Sequence, residues 1–293
     1  MTAPFSATYL LKRDRVEAIR LGSQHLLWQL HMKHLLHPDI AVKDDMAIAD
    51  IGAGTGIWAV ELAAQLPPSA RVVAYDITDA HFPAPEYWAS NVRFDHLDSL
   101  GDIPESLVGQ FDVVHLRMWA FIIRDNDPGP LIQNVAKMLS RSSYVLPMRQ
   151  NCKQKPGGYL QWEDARFGSS VVRGDAALQI RQMMDRMGSA TKHNFQWLDE
   201  LDQHVKGAEA GLHIVDCQYK PWSTQLIQLC MDTFLVALEN SSAALDRLKQ
   251  VAPSVPSSDD FKNALETLHE EIRKPDGNQL YWLPVTLLAR KND

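Results

Sequence analysis

Met46-Ala-Ile-Ala-Asp50-Ile51-Gly52-Ala53-Gly54-Thr55-Gly56-Ile57-Trp58-Ala-Val-Glu61-Leu-Ala-Ala-Gln-Leu66 decides the fold. The first six residues read as a short, buried, apolar strand. The glycines read as a tight turn, and Ile57 to Leu66 as a helix stopped by Pro67-Pro68. Glycine lets the backbone turn sharply and lets a ligand approach it closely. The start of the helix leaves N–H groups unpaired. A strand, a glycine loop and a helix in that order make a nucleotide-type site.

Outward from this unit the alternation continues. Arg71-Val-Val-Ala-Tyr75 is a second strand closing on Asp76, and Val92-Arg-Phe94 a third running toward Asp98. Phe111-Asp-Val-Val-His115-Leu is a fourth, Pro130 to Leu139 a helix, and Gly158-Tyr-Leu-Gln-Trp162 a fifth strand. Strands alternating with helices at this period predict an α/β fold, a mostly parallel sheet doubly wound with helices. Beyond it, 176–187, 195–205, 224–239 and 259–273 carry helical spacing, interrupted by a strand at 212–219 and closed by one at 280–289. Pro253–Ser258 reads as a surface linker. Asp14 to His37 reads as a helix, broken near Gly22, with Val16, Ile19, Leu26, Leu27, Leu30 and Leu35 as its apolar stripe. The organisation expected is an N-terminal helical lid (1–45), a cofactor-binding core (46–165), a helical cap with one inserted core strand (166–275) and a closing core strand (276–293).

Composition narrows the class. The chain has 293 residues, 45% hydrophobic and 22% charged, which is globular composition. A net charge of -7 disfavours a nucleic-acid partner. Three cysteines without a Cys-x-x-Cys pair make neither a disulfide framework nor a structural zinc site. No signal peptide and no membrane-length apolar run is legible, so a cytoplasmic protein is expected. His25, His31, His34 and His37 have spacings that suggest a metal, but no cysteine or carboxylate cluster completes a site, and none is expected.

The acidic residues choose between ligands. A carboxylate closing the second strand, here Asp76, accepts from ribose hydroxyls. Ile57 stands where a dinucleotide fingerprint has its third glycine. Asp50, just before the loop, repels a pyrophosphate but suits an ammonium or sulfonium group. Asp98 can accept from an adenine amine. Together they suit a ligand with a cationic amino-acid end, a ribose and an adenine, which describes S-adenosylmethionine.

Asp50-Ile-Gly-Ala-Gly-Thr-Gly-Ile-Trp58, Asp76, Asp98, Phe111-Asp-Val-Val-His115 and Lys155-Pro-Gly-Gly158 resemble the successive motifs of class I S-adenosylmethionine-dependent methyltransferases. The closing Tyr281-Trp-Leu-Pro-Val-Thr-Leu-Leu-Ala-Arg290 resembles that family's last, antiparallel strand, which implies a seven-stranded sheet. The leading Tyr9-Leu-Leu-Lys-Arg-Asp14, Glu17-Ala-Ile-Arg20-Leu and Gln24-His25 resemble the fungal secondary-metabolite group, gliotoxin-pathway and LaeA-like. The cofactor-binding set so expected is Asp50, Gly52, Ala53, Gly54, Gly56, Asp76, Ile77, Leu97, Asp98, Ser99, His115, Leu116 and Arg117, with Tyr9 as a lid. Asp112 is read equally as a strand-start residue, and Trp58 as packing for the first helix.

Methyl transfer to a small, apolar or aromatic acceptor is the function this resemblance implies. The alternatives are a non-methylating, for example pericyclic, step on the same cofactor, or a LaeA-like regulatory protein. Transfer requires chiefly that acceptor and methyl group be held in line and water excluded. Where a base is needed, the candidates are Glu163 and its neighbour Asp164, just past the fifth strand, and His193 in the cap. Met183, Met184, Met187, Phe195, Trp197, Trp222, Met231 and Phe234 read mostly as cap core, a minority forming an apolar acceptor pocket. Ser140–Gln154 interrupts the family pattern without periodicity, and reads as a surface loop or as translated intron sequence.

Overall fold

The computed structural model describes residues 11–140 and 157–292. Tyr9 and nearly all of Ser140–Gln154 lie outside the described residues.

The glycine-loop unit folds as its sequence dictates. β1 (Ala47–Ile51) is buried along its whole length, and α2 (Ile57–Gln65) follows the turn. β2 (Arg71–Asp76), β3 (Val92–His96) and β4 (Val113–Arg117) lie parallel to it. After α3 (Gly129–Met138) comes β5 (Tyr159–Arg173), then α4 (Asp175–Thr191), α5 (Leu201–Gly207) and β6 (Leu212–Gln218). The cap continues as α6 (Thr224–Ser241), α7 (Leu245–Val251) and α8 (Ser258–Glu271), and β7 (Gln279–Lys291) closes the chain. The seven strands form one sheet in the order β3-β2-β1-β4-β5-β7-β6, in which β7 runs antiparallel to β5 and β6. Order reverses between β1 and β4, so a crevice opens at the carboxyl ends of those strands.

Four expectations need correction. The sequence pattern marks five residues of β5, but the strand is fifteen long, because β7 pairs with it from Tyr159 to Arg173, with a register shift between Arg166 and Val171. Glu163 and Asp164 therefore lie inside a strand, not past its end. The stretch 195–205 starts as a 3-10 turn over Phe195–Glu200 before α5 begins. Asp98 lies in the turn beyond β3, whose last residue is His96.

The N-terminal helix departs furthest. α1 (Arg15–Met32) starts at Asp14, whose side chain accepts from Glu17 N–H. It runs unbroken through Gly22 and stops at Lys33, which is left-handed. Four of the six residues of its expected stripe are turned outward: Val16, Ile19, Leu26 and Leu30 are exposed, and only Leu27 and Leu35 are buried as expected. Glu17, Arg20, Gln24 and His25 are buried instead, with Leu27 and Trp28. Burying charged and polar groups is costly unless they are paired, so this inversion marks the surface that α1 covers.

Candidate functional site

The glycine loop sits at the carboxyl end of β1. Gly52, Gly54 and Gly56 all have positive φ, of 73°, 58° and 69°. A Cβ on Gly52 would lie 3.0 Å from the Trp119 ring, and one on Gly54 3.2 Å from Leu21 of α1. The loop is thus roofed by the chain after β4 and by α1. Gly56 is needed for a different contact, since its Cβ would meet Phe94 at 2.2 Å.

Asp76, at the end of β2, accepts from Gly54 N–H at 2.9 Å and Thr78 N–H at 3.3 Å. Burial raises its pKa despite these donors and the nearby Arg13. Beyond β3, Leu97 and Ser99 are buried and Asp98 is exposed, accepting from Leu100 N–H at 3.1 Å.

These groups share one chamber. Of the expected residues it is lined by Asp50, Gly52, Ala53, Gly54, Asp76 and Ile77 on one side and by Leu97, Asp98, Ser99, His115 and Arg117 on the other. Gly56 and Leu116 do not line it; Leu116 is fully buried. α1 closes the mouth with Arg20, Leu21, Gln24 and His25. Part of its wall is an aromatic floor in which Phe167 lies 4.8 Å from Phe121, 5.2 Å from Phe234 and 6.1 Å from Trp282 between ring centroids, and Thr233 also lines the chamber. The donors and acceptors around the loop fit the expected ligand: a carboxylate braced at the strand end for two hydroxyls, an acidic turn for an amine, and an anion beside the loop for a cationic group.

Under the loop runs a row of polar side chains across three strands. Asp50 and His115 are register partners on β1 and β4, and His115 Nδ1–H donates to Asp50 at 2.7 Å. Arg117 and Glu163 are register partners on β4 and β5, and Arg117 Nε donates to Glu163 at 2.6 Å. Gln161, partner of His115, donates to the other Glu163 oxygen at 2.8 Å. The row is continued by the helices. Arg117 Nη1 donates to His25 Nδ1 at 3.0 Å, and His25 Nε2–H donates to Glu61 of α2 at 2.5 Å. Trp58 is buried flat on His115, with ring centroids 3.7 Å apart.

Burial alone would lower the pKa of His115, but its bond to Asp50 and the Glu163 carboxylate 3.6 Å from its Nε2 more than offset this and raise it. Burial alone would raise Glu163, but Arg117 and His115 hold it well below the usual carboxylate range. His25 moves down, through burial first and Arg117 next. The row therefore holds two ion pairs, Asp50–His115 and Glu163–Arg117, and a neutral His25 that accepts from Arg117.

The acid–base candidates are placed as follows. Glu163 is fully buried and does not line the chamber. Asp164 is fully buried and accepts from Trp119 N–H at 2.8 Å, Ala120 N–H at 3.3 Å and Trp162 Nε1–H at 2.9 Å. Burial raises it to about 6 against those donors. It thereby fixes the turn that lays Trp119 over Gly52. His193 lies in a neighbouring pocket, its Nε2–H donating to Phe121 O at 2.9 Å and its Nδ1 within 2.7 Å of Thr191 Oγ1. Burial lowers its pKa, so it is neutral with both nitrogens engaged.

Other readings resolve as well. Asp112 accepts from Ala47 N–H at 3.0 Å and so braces the start of β1. Phe234 joins the aromatic floor, Met184, Met187 and Phe195 line the neighbouring pocket, and Met183, Trp197, Trp222 and Met231 are buried core. Among the described residues no group of three or more His, Cys, Asp or Glu is placed to hold a metal, and no helix is long and apolar enough to cross a membrane. Sequence reasoning missed Gln161, His25 and Glu61. The available signal was polar residues at every second position, His115 and Arg117 and then Gln161 and Glu163, in strands otherwise apolar enough to be buried.

Comparison with known proteins supports the fold. Residues 48–142 match the methyltransferase domain family. The chain is 34% identical to methyltransferase str2 of Strobilurus tenacellus over 260 residues, 83% of this chain and 86% of that one. It is 27% identical to methyltransferase grgD of a Penicillium species, over 95% of this chain and 94% of that one. Among solved structures, phosphoethanolamine N-methyltransferase 2 of Haemonchus contortus, in complex with S-adenosyl-L-methionine, matches with a TM-score of 0.51 at 13% identity. The match covers 93% of this chain and 53% of that one, so this chain spans about half its length, and the likeness is of fold.

Proposed function

The chain belongs to the S-adenosylmethionine-dependent methyltransferases, and on that premise we propose that it methylates a small, largely apolar or aromatic natural product in secondary metabolism. Its cofactor is S-adenosyl-L-methionine, which when bound supplies an electrophilic methyl group. One observation carries the reading of the acceptor: the chamber lined by the glycine loop and Asp76 is lined also by the aromatic floor of Phe121, Phe167, Phe234 and Trp282. A wall of four aromatic side chains suits a flat organic molecule.

In this reading α1 acts as the lid, the sheet core binds the cofactor, and the cap from α4 to α8 shapes the acceptor site. Asp76 accepts from the ribose hydroxyls, and Asp98 with the Leu97 and Ser99 backbone takes the adenine edge. Asp50 faces the amino-acid end, its charge balanced by His115. Arg117, held by Glu163, lines the chamber near that end. Glu163 and His193 are positioning residues: the first is locked by Arg117 and Gln161, and the second has no nitrogen free for a proton. Rate enhancement then comes from holding acceptor and methyl group in line in a water-poor chamber, which can account for about 7–11 kcal/mol of a barrier. The cytoplasm is the location this reading implies.

The test is to incubate the purified protein with a trideuteromethyl-labelled cofactor and a small-molecule extract of the source organism. The expected result is a small molecule that gains one labelled methyl group. Label found only in protein or nucleic acid would overturn the acceptor class.

A further inference from the structure

The geometry points to an uncharged amphiphile as acceptor, its polar head hydrogen-bonded to Gln24 of α1 and its apolar tail in a second pocket between α4 and α6. This rests on the reading of the chamber as the cofactor and acceptor site.

The first observation is that the buried charges of α1 and β4 that line the chamber are already matched, while Lys12 and Asp98, which also line it, are exposed. Arg20 donates to both oxygens of Glu17, at 2.9 Å and 2.7 Å, and Glu17 also accepts from Asn240 of α6 at 2.9 Å. Arg117 is bound to Glu163. A charged head seated between Arg20 and Arg117, beside Gln24, would have to break one of these buried pairs, which leaves its other half uncompensated.

The second observation is Gln24. It lies one turn after Arg20, is 6% exposed and lines the chamber. Its amide has no hydrogen-bond partner among the described residues, unlike its neighbours Arg20 and His25. Buried polar groups are nearly always paired, so an amide left open toward a cavity marks the place of a ligand group. An amide both donates and accepts, which suits a hydroxyl or another amide. On α6, which packs against α1, Thr233 Oγ is a second buried polar atom without a partner in the chamber lining.

The third observation is the second pocket. Leu11, Phe121 and Ala237 line both cavities, so the two adjoin. The walls beyond are Met184, Met187, Phe195 and Leu238. Every polar side chain there is already bonded: Thr191 with His193, His193 with Phe121 O, and Ser241 Oγ–H with Leu238 O at 2.7 Å. Nothing remains to hold a polar head or an ordered water, while methionine side chains adapt readily to an aliphatic chain.

The experiment uses the full chain saturated with S-adenosylhomocysteine and three probes of one shape: para-hexylphenol, hexylbenzene and para-hexylbenzoate. Isothermal titration should show the phenol binding about tenfold tighter than the other two. Lengthening the alkyl chain from ethyl to hexyl should tighten binding by about threefold to fourfold per methylene. Gln24→Leu should abolish the preference for phenol over hexylbenzene while S-adenosylhomocysteine still binds. Met187→Trp, or Leu238→Phe should the first fail to fold, should abolish the gain with chain length and leave para-cresol unaffected. Absence of S-adenosylhomocysteine binding by the folded parent would overturn the reading of the chamber itself. Binding of S-adenosylhomocysteine with no probe bound, with phenol and hexylbenzene bound alike, or with no dependence on chain length would overturn the amphiphile alone.

Discussion

Asp50 and His115 are opposite each other on neighbouring parallel strands, and their side chains close a buried hydrogen bond of 2.7 Å beside the glycine loop. The pair joins the ligand chamber to the polar row beneath it. The bond keeps His115 protonated above its usual range even though burial opposes that charge.

Asp50→Asn should therefore lower the pKa of His115, measured from its ring resonances by NMR. It should weaken S-adenosylmethionine by roughly tenfold or more while weakening adenosine less, because a charge-assisted bond is worth about 1.5–3 kcal/mol. In the parent, the raised value stabilises the fold fully below the unfolded pKa of 6.5, and that contribution is lost as pH climbs through the folded value. Equal losses for both ligands would leave Asp50 as a brace for the loop.

Asp76→Ala should weaken S-adenosylmethionine by about tenfold to hundredfold, since two hydroxyls lose a charged acceptor. Isothermal titration on the folded variant measures it. Unchanged affinity would remove Asp76 from the ribose.

Glu163→Gln should destabilise the fold by about 3–5 kcal/mol, because it strands the Arg117 guanidinium in a buried site. Urea unfolding gives the number. The double variant Glu163→Leu with Arg117→Met should recover much of the loss, since no charge is left unpaired. A single variant as stable as the parent would show that the ion pair does not hold these strands.

Acid should destabilise the protein through histidines that stay neutral when folded. His31 packs edge-on against Trp222, with ring centroids 4.6 Å apart, and burial followed by Lys220 lowers its pKa from 6.5 to about 4. Its contribution is full above pH 6.5 and is lost as pH falls toward 4, because only the unfolded chain takes up the proton in that window. The ring is only partly buried, so solvent screening leaves about 1 kcal/mol. Melting curves of His31→Phe should show a shallower decline over that range than those of the parent.

Deleting residues 141–154 should leave affinity for S-adenosylmethionine within about threefold, under about 0.7 kcal/mol. The flanking residues already meet, Gly158 N–H donating to Ser140 O at 3.0 Å, and they do so where β5 begins, at the opposite end of the sheet from the chamber. The melting temperature should hold or rise, as a shorter connection costs less closure entropy. A folded deletion variant that loses tenfold in affinity would show that the segment reaches the chamber.

The sequence by itself determined the sheet, the glycine loop and the acidic residues around it. Each of these is written locally: a buried strand is an unbroken apolar run, a tight turn needs glycine, and Asp76 must end the strand that follows. The starts of β2 and β3, at Arg71 and Val92, were legible for the same reason.

Only the tertiary structure decided the rest, because it depends on what packs against what. The length of β5 is set by its partner β7, more than a hundred residues away in the chain. The orientation of α1 cannot be read from its apolar stripe, because pairing Glu17 with Arg20 and Asn240, and His25 with Arg117 and Glu61, allows a polar face to be buried. Glu163 reads as an acid–base candidate from its position alone, whereas the fold sets Arg117 beside it in register and bonds the two, the contact on which its proposed positioning role rests. A side chain's type limits the chemistry it can do; its neighbours, brought together from five separate segments, determine which of those roles it has.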